Sequence, residues 1–580
     1  MSHVTHAGQS DVIYMNGEVL VDSRGEAAEA ILIRGGRVAA VGSNAEVLSA
    51  AGTGVERQSL DGATVIPGLV DTHPHLMHFS AMRAPLVDIT QARDHADIVA
   101  AIRKKAGEVP AGEWILTTPV GEYHYFHRRS WRDLAEGALP DRYVLDRAAA
   151  DHPVLIQAVA PVLPNVVAMN SAALARCGID ASTPDRVNNV WIEKDADGVP
   201  TGILRGSVTS YYNQDPFFNS LREQMPELIQ REYVVDALLQ AVQGYNAMGI
   251  TTVYEGHAIE IGQIELYRAL GAQGVLNLRV QTAPEIQGTA LPADRPKSAE
   301  EVRALLETAL AMRTLDDDWV RVDGVTACTY GTCYSGNVLS HDGYLDPYGN
   351  LTHGHRAISE ENMRLAFDFC AEHGLRLNVV SITPDEHDEN IALAEETIRK
   401  HGLDRLDAVI QHAEMTRPGQ SKRLAELGFD LTVSSSFTFG KGDMIAERFG
   451  PEALKLLNTF HTHLDAGLSA AGGMDWGPTN PFEQMQLAVT HQMFPSGRTN
   501  AGPAQVISRA EAFHMWTGAG AKVLRWDGIG TLTPGNHADL AIVDRNPITC
   551  DIDALPATRV LRTHIAGRLV HDNGALPAHA

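Results

Sequence analysis

The chain has 580 residues, more than one small core needs, and its 44% hydrophobic and 21% charged residues read as an ordinary soluble globular protein. A formal net charge of -25 argues against a binder of nucleic-acid phosphates, whose nonspecific affinity comes from clustered Lys and Arg. No uninterrupted apolar segment reaches membrane-spanning length, the N-terminus lacks a charged start followed by an apolar run, and five scattered cysteines suit a reducing compartment, so the expected setting is cytoplasmic with no membrane partner.

From about Asp11 to Leu60 the chain reads as short strands, DVIYMNGEVL and AEAILIRGGRVAAVGS, the second turning tightly at Gly35-Gly36. Next, TVIPGLVDTHPHLMH carries an apolar run into Asp71, His73 and His75. Side chains two apart on a strand share a face, so His73 and His75 can converge on one ion while Pro74 faces away. The stretch from Ala81 to about Tyr245 mixes apolar helical patterns with loop runs such as STPDRVNN. From Gly249 onward the strand-like runs ITTVYE, LNLRVQT, WVRVDGV, LRLNVVSI, DAVIQHA, FDLTVSSS and LSAAGGMD alternate with amphipathic helices such as SEENMRLAFDFCAEHG, the pattern of a parallel sheet wrapped by helices. With TVIPGLVD they make eight strand candidates. GIGTLTPGNHADLAIVDRNP and TRVLRTHIAGRLVHDNG, near the C-terminus, have the β character of the N-terminal segment, which suggests one small β domain built from both chain ends.

TVIPGLVDTHPH, the closing GTLTPGNHADLAIVDRNP and, in order between them, GEWILTTPVGE, LDRAAADHPVLIQ, MNSAALARCGI, DADGVPTGIL, AMGITTVYEG and GGMDWGPTNPFEQMQLAVTHQ resemble the amidohydrolase superfamily, metal-dependent hydrolases on a (β/α)8 barrel. The interior is similar to the family 3 branch, that of the N-substituted formamide deformylases. The resemblance spans nearly the whole chain. It implies a TIM-like (β/α)8 barrel over 64–527, a long insertion after the first barrel strand at about 81–245, and a small β-sandwich from 1–63 and 528–580. Active sites of such barrels form at the C-terminal ends of the strands. Barrels of this family are often homodimers, so a homodimer stays open.

The resemblance assigns His73 and His75 to a metal. His412, ending AVIQH, matches the family's sixth-strand histidine, which would bind metal or polarise a carbonyl oxygen; the structural alternative is a buried histidine bonded to a neighbour. Asp475, ending LSAAGGMD, matches the eighth-strand aspartate that touches the metal and shuttles the proton from water to leaving group. Two positions depart from the family. Arg321 in WVRVDGV stands where many relatives have a lysine whose carbamate bridges two metals, and a guanidinium cannot form that bridge. Val380 and Ser381 stand where relatives carry a fifth-strand histidine, and His387 downstream reads as part of a solvated charged loop. One divalent ion, Zn2+ by ligand type, is therefore expected. Glu255 and His257 in TTVYEGH can face one way and supply a carboxylate and an imidazole, or only line the pocket. Arg321 could clamp a substrate carboxylate or enter a salt bridge with an acid such as Asp323.

The rival pairs follow no buried strand. His353 and His355 lie in the Gly-rich LTHGH, and His461 and His463 in FHTHLDAG would be splayed by about 200° on a helix. Cys328 and Cys333, a C-x4-C pair without a second pair, read as packing, and Ser434, Ser435 and Ser436 as pocket lining with no base partner. The expected activity is hydrolysis of a C–N bond (amide, N-formyl or cyclic amide) of a small molecule by metal-activated water. Ester or lactone hydrolysis, nonoxidative decarboxylation and a ligand-binding relative without turnover stay open, since fold does not fix the reaction.

Overall fold

The computed structural model describes residues 11–24, 27–123, 128–159, 161–288, 295–477 and 479–576. Strands from both ends of the chain share one six-stranded sheet, in the order Arg568–Asp572, Val560–Ile565, Leu540–Val543, Thr64–Pro67, Glu18–Leu20 and Ala27–Ala28. A second, four-stranded sheet runs Arg37–Gly42, Ala30–Arg34, Val12–Met15, Glu56–Ser59. Its hairpin turns at Gly35 and Gly36, both with positive φ (55° and 78°), a conformation that glycine adopts without a Cβ clash. Tyr14, Ile31 and Ile33 of this sheet bury themselves against Leu540, Ile542 and Leu561 of the other, so the two chain ends share one core.

The run TVIPGLVD, a single strand candidate by sequence, is two strands in two sheets. Thr64–Pro67 pairs antiparallel with Leu540–Val543, and Leu69–Asp71 pairs parallel with Ile250–Glu255. Gly68 makes the switch. Its N–H donates to the Asp539 carbonyl at 2.9 Å, and a Cβ there would overlap the Thr251 side chain.

Every other strand candidate lands on a strand. The first is Leu69–Asp71, the second Ile250–Glu255, the third Arg279–Thr282 continued by Glu285–Gln287, and the fourth Val320–Val322 continued by Gly324–Cys328. The fifth to eighth are Arg376–Ser381, Ala408–His412, Phe429–Val433 and Ala470–Gly472. Each pairs parallel with the next. At the far side, Thr72 just past the first strand donates its N–H (3.1 Å) and its hydroxyl (2.9 Å) to the Gly472 carbonyl of the eighth. Helices pack on the outside. Ala299–Arg313 starts at a capping box between Ser298 and Glu301 and buries Val302 and Leu306; Glu360–His373 starts at the Ser359 cap, ends at Gly374 (φ 64°) and buries Met363 and Phe367. Those side chains join Val253, Val280, Val325, Leu377 and Ile410 in the largest apolar cluster.

The segment between the first two strands holds a six-stranded sheet of its own, in the order Arg186–Val187, Val190–Lys194, Pro200–Gly206, Asn165–Met169, Val154–Ile156 and Ile115–Thr117. It has separate cores, one of them built on Val167, Leu174, Ile192, Leu204 and Phe218. Among the described residues no helix is long and apolar enough to cross a membrane.

Candidate active site

Three strand ends converge. His73 follows the first strand, and His75, in left-handed backbone (φ 47°), immediately precedes the helix Leu76–Arg83. His412 ends the sixth strand at φ 79°, and Asp475 follows the eighth at φ 50°. Positive φ in non-glycine residues is costly and gathers where surrounding contacts fix it, often at functional sites. One such contact is Asp71, whose buried carboxylate accepts from the N–H groups of both His73 and Met474, each at 3.0 Å. The Asp475 N–H donates to the His73 carbonyl at 2.8 Å, so the first and eighth strand ends are tied together.

The side chains form a tight buried group. His73 Nε2 and His75 Nε2 lie 3.1 Å apart, and Asp475 Oδ1 is 3.4 Å from His75 Nε2 and 3.9 Å from His73 Nε2. The three ligand atoms lie within 4.8 Å of one another. A tetrahedral zinc with bonds of about 2.0–2.1 Å sets neighbouring ligand atoms about 3.3 Å apart, so the spacing fits one ion. Burial drives His73 well below, and His75 below, the ordinary imidazole range, against the pull of Asp475. Neutral imidazole is the form that binds metal. Burial works against charge on Asp475 too, but its hydrogen bond with His75 and the neighbouring His73 and His412 hold it below the usual carboxylate range. Two neutral nitrogens and a carboxylate are a donor set suited to a divalent cation.

His412 stands beside this group, its ring 4.8 Å from that of His73 and stacked on Phe437. Its Nδ1 is 3.3 Å from Glu414 Oε1, an oxygen that also takes the Lys441 ammonium. Burial alone would neutralise Glu414, but Lys441 keeps its pKa low. A carboxylate there accepts the proton on Nδ1 and leaves the Nε2 lone pair exposed to the site. Nε2 is buried, with no hydrogen-bond partner among the described residues. Burial also lowers the His412 pKa.

Other sequence candidates fall elsewhere. His257 lies close, its ring 5.4 Å from that of His75, but both nitrogens are engaged: Nε2 with the Tyr212 hydroxyl and Nδ1 with Glu285 Oε2, each at 3.2 Å. Although burial opposes it, Glu285 raises the His257 pKa. The Glu255 carboxylate is buried and accepts from the Met77 N–H (2.9 Å) and the Tyr267 hydroxyl (2.8 Å), holding the start of the helix after His75. Arg321 points to the opposite end of the fourth strand, where Nε donates to the Asp317 carbonyl and the guanidinium lies 4.0 Å over Trp526. The substrate clamp is thereby lost, because the fourth strand continues past Asp323 to Cys328, the residue that reaches the pocket. His387 is not in a solvated loop: it is fully buried in the first turn of the helix Pro384–His401 and bonds Ser381 Oγ at 2.7 Å.

The rival pairs stay outside the site. His353 bonds the Ser340 carbonyl in an exposed loop, and the helix Phe460–Asp465 turns His461 out to Asp465 and His463 in to Ser421. Cys333 is packed in a core beside Tyr334. Ser434 bonds Ser436 Oγ at 2.6 Å, and its carbonyl accepts from Asn458, so these serines brace the seventh strand end. Tyr212, Glu285 and Lys441 carry no local sequence signal of their place in this group. Glu414, two residues after His412, was within reach of a same-face reading. Tyr212 lies in the insertion, where no local pattern marks it.

A buried His-His-Asp cluster at the C-terminal ends of parallel strands in a mixed α/β fold defines a metal-dependent hydrolase. Residues 58–571 match the sequence model described as the amidohydrolase family, and the chain belongs to that family of enzymes. It is 27% identical to N-substituted formamide deformylase from Arthrobacter pascens over 97% of this chain and 98% of that one. It is 25% identical to the protein LONG AFTER FAR-RED 3 from Arabidopsis thaliana over 97% of this chain and 92% of the other. Among solved structures, an uncharacterized metal-dependent hydrolase from Pyrococcus horikoshii has a TM-score of 0.68 at 19% identity, covering 94% of this chain and 99% of that one. An adenosine deaminase from Xanthomonas campestris with bound zinc has a TM-score of 0.52 at 13% identity, covering 98% and 94%. These two likenesses concern the fold.

Proposed function

We propose that the protein is an amidohydrolase that uses one divalent ion, Zn2+ by ligand type, to hydrolyse the C–N bond of a small uncharged amide, N-formyl or cyclic amide compound. The site opens at the C-terminal mouth of a closed (β/α)8 barrel over 64–527, flanked by a β-sandwich from 1–63 and 528–580. The observation that carries this reading is the convergence of His73, His75 and Asp475, all buried, with their ligand atoms within 4.8 Å of one another. These three would hold the ion, with the exposed lone pair of His412 Nε2 as the fourth ligand. A divalent ion held there would supply Lewis acidity, which makes the proton of water easier to remove near neutral pH.

Asp475, kept ionised by its histidine neighbours, takes the proton of the attacking water and passes it to the departing nitrogen. Asp71 and Glu255 hold the backbone that aims His73 and His75. A carboxylate-bearing substrate finds no support, since Arg321 faces the other end of its strand. The C–N bond is favoured by the end-to-end likeness to an N-substituted formamide deformylase. Elemental analysis of the purified protein tests the reading: one metal ion per chain is expected, with activity lost to a chelator and restored by zinc. An active protein free of metal overturns it, and two ions per chain overturn the single-ion site.

A further inference from the structure

The pocket at the metal cluster holds about 30 Å³, the space of about one or two water-sized groups, and His75 and Asp475 form part of its wall, so the reacting atoms meet there. Several other polar groups on that wall are committed to fixed partners. Lys441 is drawn onto Glu414, Glu414 also orients His412, and Thr332 accepts the Ser335 N–H of its own turn at 3.3 Å. Tyr212 differs, because the hydrogen of its hydroxyl rotates about the Cζ–Oη bond and its partner, His257 Nε2 at 3.2 Å, borders the same pocket. On the other side of the imidazole, Nδ1 faces Glu285 Oε2 at 3.2 Å, an oxygen that also accepts the Ala258 N–H at 2.7 Å. Glu285, His257 and Tyr212 thus form a chain that ends at the pocket. Tyr212 also sits in left-handed backbone (φ 55°), a conformation that a bulky residue keeps only where its surroundings enforce it. The Asn213 side chain braces this turn, donating to the Ser207 and Thr209 carbonyls at 2.8 and 3.0 Å, and the Tyr212 ring packs edge-on against Tyr211 at 4.6 Å.

We propose that Tyr212 is a catalytic residue, its hydroxyl donating a hydrogen bond to the substrate's carbonyl oxygen as that oxygen gains negative charge. The inference rests on the hydrolase reading above and adds a residue to the reaction. As water adds to the carbonyl carbon, a C–O bond forms, the π pair of the carbonyl moves onto its oxygen, and Asp475 takes the proton of the water. With Nδ1 turned to a carboxylate, Nε2 offers its lone pair to the Tyr212 hydroxyl in the resting protein. An ionised oxygen is the stronger acceptor, by about a factor of two, so the hydroxyl hydrogen rotates onto it. When the pair returns to re-form the carbonyl, the C–N bond breaks, the nitrogen leaves with the proton from Asp475, and the hydroxyl swings back to Nε2. A contact made in the transition state and not before it raises kcat without tightening substrate binding. Because Tyr212 comes from the insertion, that segment supplies a reacting group to the barrel and not only a wall.

Methylphosphonate, a small tetrahedral anion that cannot be hydrolysed, stands in for the charged oxygen. Calorimetry on the zinc-loaded protein is expected to show binding to the wild type and binding at least about tenfold weaker to Tyr212→Phe at equal zinc content, the loss of one charge-assisted hydrogen bond. Turnover is followed on whichever of N-methylformamide, acetamide and 2-pyrrolidinone is hydrolysed fastest. In Tyr212→Phe kcat is expected to fall by about a hundredfold or more, as on removal of one oxyanion donor, while KM stays within about threefold. A side chain that only packs gives the reverse, a raised KM with kcat kept. Equal methylphosphonate affinity in the two proteins, no binding to the wild type, or a kcat that survives the substitution overturns the assignment and leaves the hydrolase reading standing. A zinc-loaded wild type that hydrolyses none of the three amides counts against the hydrolase reading itself. Methylphosphonate binding that still depends on Tyr212 in such a protein makes Tyr212 an anion-binding group and overturns its catalytic role.

Discussion

Asp71 and Arg321 show how far a residue's role depends on which end of its strand it faces. Asp71 spends one buried carboxyl oxygen on the N–H groups of His73 and Met474, and so fixes the separation of His73 from the residue that precedes Asp475. Arg321 carries a permanent charge on a neighbouring part of the same sheet, yet its guanidinium rests on Trp526 at the far end. Arg321→Met is therefore expected to leave both kcat and KM within about twofold, and to cost about 1 kcal/mol of stability through the lost cation–π contact. Michaelis constants and urea midpoints check this together; a KM raised several-fold would restore the substrate clamp. His73, His75, His412 and Asp475 were legible because each ends an apolar run, where a polar side chain has a reason to be. The engagement of His257 with Tyr212 and Glu285 was not, because its partners come from the insertion and the third strand.

At the scale of elements, the close approach of the first and eighth strands decides whether His73 and Asp475 meet. Gly473, just after the eighth strand, lies against His73: a Cβ added there would stand 2.6 Å from the His73 Cβ and 2.8 Å from its backbone nitrogen. Gly473→Ala must push His73 aside, and small-to-large changes in a packed interior cost about 1–3 kcal/mol. The expected result is a protein that folds with a lower melting temperature and copurifies with well under one metal ion per chain; full metal content would show that His73 does not depend on this contact. The eight parallel strands were readable from short β-rich runs alternating with helical periodicity. The sheet inside the insertion is not legible in the sequence for a physical reason. Its strands, of two to seven residues, are too short to establish a period, and they exist because distant segments pair with one another.

At the scale of the whole molecule, buried ionisable groups set the pH range of stability. Burial lowers the pKa of His387 to about 3 and those of His463, His491 and His564 to about 4, against an ordinary 6.5. Below pH 6.5 the unfolded chain takes up protons that the native histidines refuse, so these four destabilise the fold as the pH falls from 6.5 toward 4. Burial raises Asp71 and Glu255 to about 7 and Glu386 to about 8, the opposite sense. These acids stay protonated in the native protein while their unfolded counterparts ionise near pH 4, so their contribution declines from about pH 4 until the pH passes 7 to 8. Below pH 6.5 the two groups oppose one another, and above it only the acids change. Urea midpoints should therefore be lower at pH 8.5 than at pH 6.5, and a midpoint that climbs steadily to pH 8.5 would contradict the assignment of the buried acids.

The sequence by itself determined the order of the strands, the pairing of the two chain ends into one β unit, and the histidines and aspartate that stand at the strand ends. All of these follow from local periodicity and from residues that lie at the end of an apolar run. Only the tertiary structure decided that TVIPGLVD switches sheets at Gly68, that Arg321 rests on Trp526 and Glu255 on Met77 and Tyr267, and that His257 is held by Tyr212 and Glu285. Each of these depends on contacts between segments tens to hundreds of residues apart, and no local pattern in the chain encodes which distant side chain arrives.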